Sequence, residues 1–102
     1  MAPRKAAEQF KERNRQAASF RATLYGSLAA TGKGHLTDKA IEDAFSPAPV
    51  EFIWQPTIIL PFHPNGLDLE ALDENGSILS TWRVYSTGGG ALVEDGQVYQ
   101  PK

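Results

Sequence analysis

A glycine-rich segment carries the residues of this chain whose types and spacing best suit chemistry. Gly32-Lys33-Gly34-His35 follows Ser27 and lies between a predicted strand and a predicted helix. At such a junction, backbone N–H groups can surround an anion and a side chain can reach a ligand. A segment that only turns the chain rarely needs a lysine between two glycines and then a histidine. The segment is therefore a candidate binding loop.

Two further loops carry polar groups. His63, the second of the two histidines, stands in the turn His63-Pro64-Asn65-Gly66. If this loop meets the first one at an edge of the sheet, a small polar pocket follows. Two histidines without convergent carboxylates are weak evidence for a metal site. The stretch Ser86-Thr87-Gly88-Gly89-Gly90 is either a flexible connector or a place where a ligand or domain approaches the backbone closely.

Several kinds of site are excluded or disfavoured. A phosphate-binding loop needs four residues between its first glycine and a Gly-Lys pair that Ser or Thr follows, and this spacing is absent. No GxGxxG dinucleotide motif and no nucleophilic triad is present. The chain has no cysteine, which excludes disulfides, thiolate zinc sites, a cysteine nucleophile and ligands for an iron–sulfur cluster.

The charge is unevenly distributed along the 102 residues. Residues 1–21 hold six basic and two acidic side chains, a net +4, and the remainder holds four basic and ten acidic ones, a net −6. A basic amphipathic helix can bind nucleic acid or a membrane surface, but a solvated or docking face explains it more simply. The acidic remainder weakens attraction to phosphate polymers. No apolar run approaches the ~20 residues of a membrane span. We expect neither nucleic acid nor a membrane as a partner.

The elements that must position these loops follow from periodicity. Helices are predicted over residues 2–16 and, from an N-cap at Thr37 or Asp38, through Phe45. Alternating residues predict the first strand at 20–25. Further strands are predicted at 50–54, 57–60, 67–72 and 78–85, with turns at 73–76 and a small hairpin of 91–93 with 97–99. We expect one α+β domain, a two-layer sandwich with a mixed sheet of about four strands in the order α-β-α-β-β-β.

The motifs together resemble those of a known family. Residues 24–28 and 31–35, Thr37-Asp38, His63-Pro64-Asn65-Gly66 and residues 85–90 look like the signature of the iron–sulfur L-serine dehydratases, in the family's order. Residues 1–10 resemble the helix after that family's N-terminal Ser-Ser-Ser-His-Thr segment, which does not precede Met1 here. Residues 46–60 are also shorter than in many relatives.

The resemblance implies a fold, an activity and partners. The region is the β domain of the enzyme, similar to the allosteric substrate-binding domain of phosphoglycerate dehydrogenases. The enzymes convert L-serine to pyruvate and ammonia, with a [4Fe-4S] cluster on cysteines of an α domain whose iron acts as a Lewis acid on the serine hydroxyl. We expect a cytoplasmic fragment of a homodimeric enzyme that is inactive without its α domain.

The resemblance also implies residue roles. His35 is the base that takes the α-proton of serine, and a histidine suits this task near neutral pH. Lys33 and the N–H groups of Gly32 and Gly34 hold the substrate carboxylate. Further substrate contacts are Ser27, His63 and Asn65, while Ser86, Gly88, Gly89 and Gly90 shape the domain interface or the substrate loop. The alternatives are a regulatory module that binds a serine-like molecule and a structural dimerisation module.

Overall fold

The computed structural model describes residues 2–32, 36–88 and 91–94. In chain order these residues form α1 (Ala2–Arg13), β1 (Ser19–Tyr25), α2 (Gly26–Gly32), α3 (Thr37–Phe45), β2 (Val50–Gln55), β3 (Gly66–Leu72), β4 (Ile78–Gly88) and β5 (Ala91–Glu94). The predicted α+β class with a mixed sheet is confirmed. The described sheet has five strands rather than about four, and α1 ends at Arg13 rather than at residue 16.

The sheet has the order β2-β1-β3-β4-β5. Strand β2 pairs in parallel with β1, and the other neighbouring pairs are antiparallel. A parallel pair needs a long crossover, which here includes α2 and α3. The strand β1 therefore lies inside the sheet, with Leu24 between Trp54 of β2 and Leu67 of β3. This places the end of β1 beside the loop that leads into β3.

The helices cover one face of the sheet. Alternate strand residues, among them Phe20 and Leu69, are buried in one cluster with Phe10 of α1 and Phe45 of α3. The rings of Phe20 and Phe45 stack with centroids 4.1 Å apart, and Phe10 meets Phe20 edge to face at 6.1 Å. The period of two in the strands and of about 3.6 in the helices puts these side chains on facing surfaces. The predicted two-layer arrangement follows from this core.

The predicted glycine loop is partly a helix. Gly26 has φ +51°, a left-handed conformation that suits glycine, and it turns the chain from β1 directly into α2. The residues that follow include Leu28 and two alanines, which favour a helix, and Leu28 and Ala29 are buried. A loop over this stretch was therefore the wrong prediction. Residues 33–35 lie outside the described part of the chain.

Two other sequence predictions need correction. Residues 57–60 form no strand, because Pro56 and Pro61 flank them and Val50–Gln55 already occupies the edge beside β1. Neither Thr37 nor Asp38 is the N-cap residue of α3, although Asp38 Oδ1 accepts the amide hydrogen of Lys39 at 3.0 Å. Instead, Leu36 takes the cap position with φ 61°, and its carbonyl accepts the amide hydrogen of Ala40 at 3.0 Å.

The turns at the other end of the sheet agree with the sequence. Asp73 Oδ1 accepts hydrogen bonds from the amides of Asn75 and Ser77, and Gly76 has φ +83°, so the predicted hairpin is confirmed. The strand predicted at 78–85 is longer than expected, because β4 continues to Gly88. Strand β5 pairs with β4. Its predicted hairpin partner, residues 97–99, lies outside the described residues.

Candidate functional site

Three of the predicted motifs meet at one edge of the sheet, namely the end at which β1 stops and β3 starts. The amide of Ser27, in the first turn of α2, donates a hydrogen bond to the carbonyl oxygen of Pro64 at 3.1 Å. The amide of Ser86, in β4, donates to the carbonyl oxygen of Asn65 at 2.9 Å. The loop before β3 is thus tied by its backbone to both neighbours. Ser27 and Ser86 therefore both adjoin the 63–65 loop, while a meeting of this loop with residues 33–35 stays a prediction.

Close packing determines how near the start of α2 lies to the loop before β3. A Cβ atom at Gly26 would lie 2.6 Å from the Pro64 carbonyl oxygen and 2.8 Å from Ile59 Cδ1. Both distances are shorter than real Cβ contacts allow. Gly26 therefore does two things that other residues cannot, since it adopts a positive φ and lets the 58–64 backbone touch the end of β1.

The imidazole of His63 is held in a defined orientation. Its Nδ1 accepts a hydrogen bond from the amide of Asn65 at 3.0 Å, and the side chain is half-buried. Because a backbone amide can only donate, Nδ1 presents its lone pair and the proton of the neutral ring lies on Nε2. An open cavity of about 430 Å³ adjoins this ring and is lined by Phe62, His63, Thr87 and Val93. His63 can therefore offer an N–H donor to a small ligand.

The remaining predicted site residues divide into two groups. Gly32 is the last residue of α2, and Gly88 is the last residue of β4. Five others, including the proposed base, lie outside the described residues: Lys33, Gly34, His35, Gly89 and Gly90. The structure thus brings Ser27, the 63–65 loop and Ser86 together, while the role of His35 stays a prediction from the resemblance.

A polar cluster on the sheet face opposite the helices was missed by the sequence reading. Arg83 donates from Nε to Asp68 Oδ1 at 2.6 Å and from Nη2 to Asp68 Oδ2 at 2.9 Å. The hydroxyl of Tyr25 donates to the same Oδ2 at 2.7 Å. Burial, and then the hydrogen bond to Asp68, raise the pKa of Tyr25 above its ordinary value. The hydrogen bond to Asp68 raises the pKa of the Arg83 guanidinium in the same way.

The cluster ties three strands together and borders a second cavity of about 430 Å³. Arg21 extends it across the sheet, with Nε 3.1 Å from Glu51 Oε1 and Nη1 3.3 Å from Glu70 Oε1. Register places Asp68 opposite both Thr23 and Arg83. The sequence showed these residues only as the polar half of alternating strands, and the strand order that joins them was not readable from it. The two arginines pair with three carboxylates across neighbouring strands, and these pairs stabilise the sheet.

Metal ligands are absent from this arrangement as far as the structure describes it. Within residues 2–32, 36–88 and 91–94, no group of three or more His, Asp or Glu side chains is placed to hold a metal ion. The whole sequence has no cysteine. The residues present therefore do not fit an iron–sulfur cluster, which needs thiolate ligands. In the same described ranges, no helix is long and apolar enough to cross a membrane.

Comparison with known proteins identifies the family of the chain. Residues 1–46 and 42–97 match the family model of the serine dehydratase beta chain. The chain belongs to this family. The match includes all three motifs that meet at the sheet edge and also residues 33–35.

The curated relatives that match the chain are named L-serine dehydratase. The L-serine dehydratase of Streptomyces coelicolor is 31% identical over 137 aligned positions, which cover 94% of this chain and 30% of the relative. That of Mycobacterium tuberculosis is 32% identical over 111 positions, covering 76% and 24%, and that of Haemophilus influenzae is 31% identical over 134, covering 91% and 30%. The chain spans less than a third of the length of these relatives.

The match to the family model falls into two segments. The two segments that match the family model meet at residues 42–46, at the end of α3. The shortening of residues 46–60 stays a prediction. The break lies next to the α3–β2 connection and away from the 63–65 loop.

Proposed function

We propose that this chain is the beta part of an L-serine dehydratase and supplies substrate-site residues for the deamination of L-serine to pyruvate and ammonia. The observation that carries the proposal is the pair of backbone hydrogen bonds that joins Ser27, the 63–65 loop and Ser86. These hydrogen bonds bring together motifs that are far apart in the sequence, as a common site requires. Membership of the serine dehydratase beta chain family supports the same reading.

Each group has a role that its chemistry allows. His35 is proposed as the base that takes the α-proton, since a histidine exchanges protons near neutral pH. Lys33 and the N–H groups of Gly32 and Gly34 are proposed to bind the substrate carboxylate. His63 would add a hydrogen bond from Nε2, because Nδ1 already accepts from Asn65.

The Lewis acid that the reaction needs is assigned to the alpha partner. In the proposed enzyme a [4Fe-4S] cluster, held by cysteines that this chain lacks, serves as the Lewis acid for the serine hydroxyl. The beta chain would be inactive alone. We also propose a cytoplasmic, homodimeric enzyme, in which residues 86–90 shape the domain interface.

The direct test replaces the proposed base in the complete enzyme. His35→Ala should lower kcat for pyruvate formation by about 10²–10⁴-fold, the usual contribution of a positioned acid–base group. The matched control is Leu36→Ala at the exposed neighbouring residue, which should leave turnover within about twofold. Near-normal turnover of the His35 variant would contradict the role of His35.

A regulatory serine-binding module is the second candidate, and the cavity beside His63 favours it. A volume of about 430 Å³ lies within the ~300–1,000 Å³ range of small-molecule sites. Calorimetry with L-serine on the beta chain, with and without its alpha partner, separates the two functions. Tight binding without the alpha partner would favour regulation, and binding only in the assembled enzyme would favour a shared active site.

A further inference from the structure

The edge that carries the candidate site is also depleted of charge. Residues 22–32, 52–67 and 84–93 contain none of the 10 basic and 12 acidic residues of the chain. Part of this depletion reflects strand residues in the core. However, the exposed residues of the 56–64 loop are also all uncharged, although 22% of the whole chain is charged. Solvated loops usually carry charge, so this surface differs from the rest of the molecule.

Large apolar side chains are exposed on the same loop. Ile58, Ile59 and Phe62 are 42%, 60% and 44% exposed, and they lie within five residues of one another. Ile59 reaches the position next to Gly26, and the ring of Phe62 lies 4.8 Å from that of Tyr85. The loop is therefore anchored on the sheet edge while part of its apolar surface faces outward. We call these three residues the apolar loop surface.

We infer that the apolar loop surface is where the alpha part of the enzyme docks. Depletion of charge with enrichment of aromatic and aliphatic groups is typical of the buried centre of an interface. An alpha partner is implied by the family, and the curated relatives are more than three times as long as the matched region. The inference rests on the proposed function in one respect, because a shared active site requires the partner to cover the adjoining loops.

A second copy of this chain fits the surface less well, because the surface adjoins the candidate site, and the groups that this site still needs are proposed to come from the alpha part. The apolar loop surface continues directly into the residues around His63 and Ser27. A partner seated there would exclude water from the candidate site, whereas contact elsewhere would leave it open.

Photo-crosslinking in the complete enzyme tests the inference. The photoreactive residue p-benzoylphenylalanine replaces Ile59 in one variant and Ile78 in the other. Ile78 is a matched control because it is also an exposed isoleucine, at 53%, but it pairs with Leu72 at the opposite end of the sheet. After irradiation, mass spectrometry should find cross-links from position 59 to alpha-part peptides, at least about tenfold above those from position 78.

The other outcomes are equally decisive. Cross-links from position 59 only to a second beta chain, or to alpha peptides no more often than from position 78, would overturn the docking surface. Ile59→Glu gives a second measurement, since a charge buried in the contact should weaken association with the alpha part at least about tenfold, while Ile78→Glu should not.

Serine turnover of the unirradiated enzyme keeps the two proposals separate. Cross-links to the alpha part without turnover would overturn the proposed function and leave the docking surface standing. Turnover without the cross-links would overturn the docking surface and leave the proposed function standing.

Discussion

Gly26→Ala is the substitution that most directly tests how the site is built. Gly26 has φ +51°, and its absent Cβ makes room for the Pro64 carbonyl oxygen. An alanine must therefore either keep a left-handed conformation against a backbone oxygen or push the 58–64 loop away. The amide of Ser27 would then lose its partner at Pro64.

The cost can be worked out in two parts. A left-handed conformation costs a residue other than glycine about 1–2 kcal/mol. Overpacking against an oxygen 2.6 Å away adds about 1–3 kcal/mol, since Pro64 contributes a backbone atom rather than the flexible end of a side chain. Together they lower the free energy of unfolding by about 2–5 kcal/mol, a large share of the ~5–15 kcal/mol expected for a domain of this size.

Gly76→Ala is the matched control. Gly76 also has a positive φ, of +83°, but a Cβ there would meet nothing within 4 Å. It should cost only the conformational part, about 1–2 kcal/mol. Urea denaturation followed by tryptophan fluorescence measures both. Equal destabilisation of the two variants would refute the argument that Pro64 packing demands glycine at position 26.

Other predictions concern the polar cluster and the core. Asp68→Asn should lower the free energy of unfolding by about 1–2 kcal/mol, because the paired contacts of Arg83 are weakened at a half-buried site, and urea denaturation measures it. The raised pKa of Tyr25 means that its contribution to stability is present below about pH 10 and is lost as pH rises through the folded pKa, which phenolate absorbance and alkaline denaturation can follow. Phe45→Ala should cost about 3–5 kcal/mol by thermal denaturation, since Phe45 is fully buried against Phe20.

Each of these three predictions can be contradicted by a stated result, and the Asp68 variant also has a matched control. Glu8→Gln removes an exposed partner of Arg4 and should change stability by less than about 0.5 kcal/mol. An Asp68→Asn effect no larger than this would contradict the importance of the cluster. A Tyr25 titration at the ordinary value, or a loss below 1 kcal/mol on truncating Phe45, would contradict the burial of these rings.

Local signals in the sequence predicted the elements that depend on local physics. The alternation through Phe20, Ala22 and Leu24 identified β1, and Asp73-Glu74-Asn75-Gly76 identified the hairpin. The Thr57-Leu60 prediction failed because β-branched residues favour strands only where a neighbouring strand supplies hydrogen bonds. Here Val50–Gln55 took that place.

The candidate site was predictable in part for the same reason. Glycines and polar loop residues mark sites of close approach, so Ser27 and the 63–65 loop were readable as candidates. The Asp68–Arg83 pair was not, because it depends on which strands are neighbours and in which register. Family membership over residues 1–46 and 42–97 supports the proposed activity, which residue types alone left open.

The sequence by itself determined the class of fold, the exclusion of thiolate ligands and the motifs of the family. These follow from periodicity, composition and residue order, which are properties of the chain alone. Only the tertiary structure decided that Ser27, Asn65 and Ser86 share one edge, that Gly26 must lack a side chain, and that the 58–62 loop exposes apolar groups beside them. Those facts arise from non-local hydrogen bonds and packing, which bring together residues that local sequence patterns do not relate.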